Sequence, residues 1–193
     1  FVTRALGELA IDTRTLGKPG PTPASFLKSQ LQASQHRAVL EAIIAATFQG
    51  KNELAGDIAT HLASKDPLIA HTAFRSLAKL GAYEVALAKL DSDDPSTRTG
   101  ASLALMRMHK TEVVDALLAK LNTLADPAKR SAILATLARL YQCEGEWKGD
   151  SWSTRPDTRG PYYQPTTWEQ STRILDSLNN VLEDPSTTSK ENS

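Results

Sequence analysis

The sequence predicts an all-α fold: an α-solenoid of helical hairpins wound as a right-handed superhelix, broken by one long, irregular, aromatic-rich insertion. Three observations predict it. Segments DPLIAHTAFRSLAKLG from Asp66, DPSTRTGASLALMRMH from Asp94 and DPAKRSAILATLARLY from Asp126 align without gaps at nearly even spacing. Within them apolar residues recur at helical spacing. By contrast, the stretch Tyr141–Trp168 shows no such period, yet holds six of the eleven aromatic rings. Units of about 30 residues that cannot bury an apolar face alone must stack on their neighbours.

From the N-terminus, Phe1–Ile11 reads as a helix remnant of a preceding repeat, and Thr15–Pro23 (TLGKPGPTP) as a turn-rich linker. Residues 1–23 are therefore set apart from the repeats of 24–140. Ala24–Ala33 has the length for a helix. A degenerate copy of the repeat, QHRAVLEAIIAATFQG, starts at Gln35, one repeat length before Asp66. In the three clear copies Asp suits the N-cap, where its carboxylate accepts a free first-turn N–H. Pro suits the first helical position, where a missing N–H costs nothing. The seventh, eleventh and fourteenth positions after Asp fall on one face: Ala73, Leu77 and Leu80; Ala101, Leu105 and Met108; Ile133, Leu137 and Leu140. Ala at the first of these lets a neighbouring helix come close. Turns are expected at Gly50, at Gly81 and over His109–Thr111, each followed by a second amphipathic helix. The apolar positions of those helices are Leu54, Ile58 and Leu62; Val85, Leu87 and Leu90; and Val114, Leu117, Leu118 and Leu121.

This pattern resembles the short HEAT-like repeats, a kind also seen in phycobilisome-lyase-type proteins. The resemblance covers about residues 35–140. It implies a stacked array presenting an extended surface lined by the second helices. The polar candidates there are Lys51, Glu53, Asp57, Lys65, Glu84, Lys89, Glu112, Asp115 and Lys120, of mixed sign.

Residues 141–168 change character. From Tyr141 to Arg173 there is no Ala, Val, Ile, Leu, Met or Phe, while all three tryptophans fall in this stretch. A loop this long is ordinarily functional or disordered, and large aromatics argue for order. The expectation is an ordered loop that is neither a repeat helix nor a standard strand. Residues 169–185 then close the array with a helix whose apolar positions are Ile174, Leu175, Leu178, Val181 and Leu182. The Glu183-Asp184-Pro185 run resembles the start of a further repeat, and residues 186–193 are expected to be disordered. Opening on Phe1 without a leader-like pattern, the chain reads as a piece of a longer protein.

The string EWKGDSWSTRPDTRGPYYQPTTWE (Glu146–Glu169) resembles a motif of large multidomain proteins of planctomycetes and verrucomicrobia. Those proteins join a propeller-type, membrane-bound dehydrogenase-like region, HEAT-like repeats and a C-terminal c-type haem domain, and the motif interrupts their repeats. The resemblance implies that this chain is the repeat portion, in the periplasm or at the cell surface. With no C-x-x-C-H site in the chain, haem and redox chemistry would belong to neighbouring domains.

The candidate binding residues are Trp147, Trp152, Arg155, Asp157, Arg159, Tyr162, Tyr163 and Trp168. Trp, Tyr and Arg dominate protein hot spots. The same rings and polar groups can stack on and hydrogen-bond a sugar. Equally, Arg–Asp pairing and cation–π contacts can simply fold the loop on itself. Glu144, Glu146, Asp150 and Asp157 lack the alternating oxygen spacing of a calcium loop. His36, His61, His71 and His109 occupy different repeat phases, form no H-E-x-x-H motif and are expected at exposed positions. Cys143, the single cysteine, lies beside two glutamates and suits a part-buried, inert thiol. No catalytic residue, metal or cofactor is expected.

Charge narrows the function classes. With 22 Lys+Arg against 22 Asp+Glu the formal net charge is zero, which disfavours a general nucleic-acid binder. No apolar run approaches the ~18–20 residues of a membrane span. The reading is a non-catalytic, monomeric scaffold for a protein or a neighbouring domain, with the aromatic loop as docking element. The alternatives are an accessory domain binding carbohydrate or another small ligand, and a HEAT-like DNA glycosylase. Such enzymes work with Trp, Asp and Arg on a basic concave face, whereas here those residues crowd into one loop.

Overall fold

A computed structural model describes residues 22–149 and 164–183. The described residues are all-α apart from one minimal strand pair, with nine α-helices and one 3-10 turn. They fall into two compact units divided between Met108 and His109. That division lies inside the repeat that starts at Asp94, between its two helices.

The first unit holds α1 (Ala24–Leu31), α2 (His36–Phe48), a 3-10 turn (Asn52–Leu54), α3 (Ala55–Ala59), α4 (Pro67–Leu80), α5 (Tyr83–Lys89) and α6 (Pro95–Leu105). Helices α2, α4 and α6, the first helices of successive repeats, pack in that order: α2 on α4, α4 on α6. The small residues explain how. Ala42, Ala73 and Ala101, each at the seventh position after its repeat start, are fully buried. Gly100 is buried with them, and a Cβ built on it would stand 3.0 Å from Cβ of Leu62 and 3.1 Å from the Leu62 carbonyl oxygen. Phe74 is the one aromatic ring buried among the described residues. The rest of this core is Leu, Ile, Val, Met and Ala.

Helix boundaries follow the local chemistry. Asp66 accepts from Leu68 N at 2.9 Å, and Asp94 accepts from Ser96 N at 3.2 Å and Thr97 N at 3.0 Å, each with Pro in the first turn. The degenerate copy has Gln35 at its N-cap and no side-chain cap. Gly50 and Gly81 take left-handed φ of 64° and 68°. At each, the following residue donates back across the helix end, Lys51 N to Ala46 O at 2.9 Å and Ala82 N to Leu77 O at 3.0 Å, which is the Schellman closure. The second helices are less regular than expected. The first is a 3-10 turn running into the short α3, although Leu54, Ile58 and Leu62 are all buried. In α5, Leu90 at the C-cap is buried with Ala86, while Val85 and Leu87 are half-buried.

The second unit holds α7 (Thr111–Thr123), α8 (Pro127–Leu140), the strands β1 (Cys143–Glu144) and β2 (Pro165–Thr166), and α9 (Ser171–Glu183). Helix α8 packs on both α7 and α9. Val113, Val114, Leu117, Leu118 and Leu121 of α7 meet Ile133, Leu137 and Leu140 of α8 in the buried set. Asp126 caps α8 through Lys129 N at 2.9 Å.

In the first turn after the capping Asp, two copies carry an arginine with a shared task. Arg98 donates to Ser92 O and Asp93 O at 2.8 and 2.9 Å, and Arg130 to Leu121 O and Leu124 O at 2.6 and 3.2 Å. Arg130 thereby satisfies a carbonyl left open in the last turn of α7, and Arg98 ties down the linker between α5 and α6.

Helix α9 departs from expectation in burial. Only Ile174 of its apolar positions is fully buried, while Leu175 is 40% and Leu182 75% exposed. The histidines also differ from the expected exposed placement. His36 is exposed, but His61, His71 and His109 are half-buried. His61 donates from Nε2 to the Leu31 carbonyl at 2.9 Å, and His71 meets the Phe74 ring edge-on. Imidazole can fill space between helices while its N–H satisfies a free carbonyl, so burial is tolerated.

Candidate functional site

The described site is the base of the aromatic segment, in the second unit. Helix α8 ends at Leu140, and its last carbonyls have no helical N–H to accept from. Side chains take over at three consecutive residues. The indole N–H of Trp168 donates to Leu140 O at 2.7 Å, the Ser171 hydroxyl to Tyr141 O at 2.6 Å, and Nε2 of His109 to Gln142 O at 2.9 Å. Because a carbonyl only accepts, Nε2 of His109 carries the hydrogen. Ser171 is buried and also accepts from Trp168 N at 2.9 Å. The His109 and Trp168 rings meet edge to face, centroids 5.4 Å apart at 74°.

Beyond this clamp the chain pairs with itself. Cys143 lies opposite Thr166 and Glu144 opposite Pro165, antiparallel. Gly145 N donates to Gln164 O at 2.8 Å. Glycine is required there, since a Cβ on Gly145 would lie 2.5 Å from the Gln164 carbonyl oxygen. This strand pair is an element that alternation could not reveal, because strands this short show no period.

The first turn of α9 is also tied to α7. Thr111 Oγ1 hydrogen-bonds the Glu169 carboxylate, Gln170 Nε2 donates to Thr111 Oγ1 at 3.3 Å, and Arg173 pairs with Asp115.

Of the candidate binding residues, Trp168 is half-buried and its N–H is engaged within the unit. Trp147 is half-buried as well. Trp152, Arg155, Asp157, Arg159, Tyr162 and Tyr163 lie outside the described residues, as do Asp150 and the expected features of 1–21 and 184–193. Cys143 is half-buried and free, in β1. Among the polar candidates of the second helices, Asp57 pairs with Lys28 at 3.4 Å and Asp115 with Arg173.

Electrostatically, His109 is the shifted group of the site. Burial holds its pKa below the ordinary histidine value, the charge of Arg139 lowers it further, and the Gln142 carbonyl opposes both. At neutral pH the ring is therefore the uncharged Nε2–H tautomer. Among the described residues, no group of three or more His, Cys, Asp and Glu could hold a metal ion. Sequence reasoning missed the roles of His109 and Ser171. Ser171 stands just past the aromatic segment, but His109 lies a whole helical hairpin before it, so the sequence carried no signal joining the two.

In comparisons with known proteins, no protein-family model and no curated protein matches the chain.

Proposed function

We propose that the chain is a right-handed α-solenoid of HEAT-like hairpins acting as a non-catalytic scaffold for a protein partner or a neighbouring domain of its parent chain. In this reading it is the repeat portion of a multidomain protein of the planctomycete and verrucomicrobial kind that its aromatic motif resembles. The observation that carries the reading is the ordered packing of α2 on α4 and α4 on α6 through matched small residues. Helices about one repeat apart that pack as nearest neighbours are what stacking of similar units requires. No helix among the described residues is long and apolar enough to cross a membrane, which is compatible with a scaffold that does not insert.

The aromatic insertion serves as the docking element. The three carbonyls gripped by Trp168, Ser171 and His109, with the strand pair beyond them, support this by fixing both ends of the segment at the base. Rings held on a fixed base lose less entropy on binding.

The test is capture of the domains flanking these repeats in the parent protein, by the wild-type chain and by Trp152→Ala. Loss of capture in the variant, with the thermal midpoint unchanged, is the expected result. Equal capture by both would overturn the docking role.

A further inference from the structure

In the second unit, α7 and α9 both pack on α8 and are tied to each other at their starts, where Arg173 pairs with Asp115. An open groove of about 560 Å3 is left between them. Helix α7 lines it with Leu121 and Asn122, α9 with Arg173, Asn180 and Val181, and α8 with Arg130. Arg130 is half-buried. Its Nη1 donates to Leu121 O and Leu124 O at 2.6 and 3.2 Å. Among the described residues, Nε and Nη2 have no hydrogen-bond partner, and no carboxylate forms an ion pair with this guanidinium. The buried side-chain nitrogen and oxygen atoms that lack a partner among the described residues are Oε2 of Glu41 and Oε1 of Gln49 alone. The Nε–Nη2 edge of Arg130 is therefore reached by solvent.

That edge selects its ligand. Nε–H and one Nη2–H lie parallel on a rigid plane, a fork that matches the two oxygens of a carboxylate. Charge agrees with geometry. Arg173 is met by Asp115, so Arg130 is the one uncompensated charge of the lining. A single positive charge suits a monoanionic carboxylate better than a phosphate carrying close to two negative charges. Asn122 and Asn180 stand exposed on facing helices, and neither carboxamide has a partner among the described residues. Each offers both a donor and an acceptor, the same pair that a peptide group presents. Val181, half-buried, adds apolar surface for an aliphatic stem. A free small acid would be poorly enclosed in so open a groove, since small-ligand sites bury most of their ligand.

We propose that this groove receives an acidic side chain from a segment of a partner protein. Its carboxylate oxygens accept from Nε and Nη2 of Arg130, and its main chain meets Asn122 and Asn180. The inference rests on the interaction-scaffold reading and deepens it by naming the chemistry of the partner.

The experiment is an amide-NMR titration of the full chain at low salt. The probe is the N-acetylated, C-amidated tripeptide alanyl-glutamyl-alanine, and its glutaminyl counterpart is the neutral control. Acetate and inorganic phosphate are titrated separately. Saturable shifts clustered at residues 118–122, 130 and 173–181 are expected, with a dissociation constant on the order of 1 mM. The glutaminyl peptide should bind about tenfold more weakly, through loss of a charge-assisted pair. Acetate and phosphate should both bind more weakly than the acidic peptide. Arg130→Lys, which keeps the charge and loses the fork, should weaken peptide binding about tenfold. Asn180→Ala, at an exposed position, should weaken peptide binding several-fold and leave acetate binding unchanged. It carries the test if Arg130→Lys does not fold. Absence of saturable shifts in the groove, or an equal response to the glutaminyl peptide, would overturn the inference. So would acetate or phosphate binding as tightly as the peptide, or an unaltered response in both variants. Capture of flanking domains through Trp152 does not report on Arg130. Failure of the titration with capture intact thus overturns this inference alone. Loss of capture with the titration intact overturns only the docking role of the aromatic segment.

Discussion

Gly100 of α6 and Leu62 come so close that a single added methyl would sit 3.0 Å from Cβ of Leu62 and 3.1 Å from its backbone oxygen. The carbonyl cannot rotate away as a side chain can. Gly100→Ala should therefore destabilise the chain, with overpacking of about 1–3 kcal/mol exceeding the ~1 kcal/mol that Ala gains over Gly in a helix. Gly56 of α3 is the internal comparison, since nothing lies within 4 Å of its Cβ position. Gly56→Ala should stabilise by about 0.5–1 kcal/mol. Urea midpoints of the two variants should move in opposite directions.

Trp168→Phe retains an aromatic ring and removes the N–H that Leu140 O accepts. A carbonyl deprived of its donor should cost about 1–3 kcal/mol. Amide exchange should accelerate first at Gly145, whose N–H belongs to the strand pair held by the clamp.

The lowered pKa of His109 has a definite sign. The unfolded chain takes up a proton near the ordinary value of 6.5, while the folded state resists it. Its contribution to stability is complete above about pH 6.5 and declines as the pH falls from there to the folded pKa. The thermal midpoint of wild type should drop on acidification from neutrality. His109→Gln, which has an N–H to offer but no titration, should flatten that decline.

Asp66→Ala removes the cap on α4 and the partner of His36. A loss of about 1 kcal/mol is expected from denaturation curves. Asp94 behaves differently with acid. The hydroxyl and backbone N–H of Thr97 hold its carboxyl below the usual range, so its stabilisation is present above pH 3.8 and lost as the pH falls through the folded pKa. Asp94→Asn should remove that component of acid sensitivity.

Ile174 and Leu182 lie on one apolar stripe of α9 yet should respond unequally. Ile174→Ala empties a fully buried site and should cost about 2–5 kcal/mol. Leu182, 75% exposed, should change stability by less than about 0.5 kcal/mol when cut to Ala. Chemical denaturation of the pair checks the contrast.

These residues mark how much the sequence discloses. The capping aspartates, the prolines behind them and the Ala and Leu positions of α4, α6 and α8 were all legible, because helix start signals and helical period are local. The α9 stripe was legible as a helix, but its burial was not, since burial depends on what packs against it. The clamp on α8 was not legible either. Trp168 and Ser171 reach back a whole insertion's length to Leu140 and Tyr141, and no local pattern encodes which carbonyl a distant donor will meet. The burial of Glu41, which is 5% exposed, was hidden for the opposite reason: within an amphipathic helix an isolated glutamate reads as a solvent-facing residue. The arginines that reach back to carbonyls ahead of their own helix were visible only as a partial repeat, present at Arg98 and Arg130 and replaced by Ala70 in the copy between Asp66 and Gly81.

Trp168 also makes the base of the segment optically self-reporting. Its indole is hydrogen-bonded, half-shielded and set against an imidazole that titrates, so its emission should follow the protonation of His109. Any ligand titration read through tryptophan fluorescence will carry this component at acidic pH, whatever Trp147 and Trp152 contribute. A Trp168→Phe background separates the two signals, turning the remaining indoles into clean probes of binding.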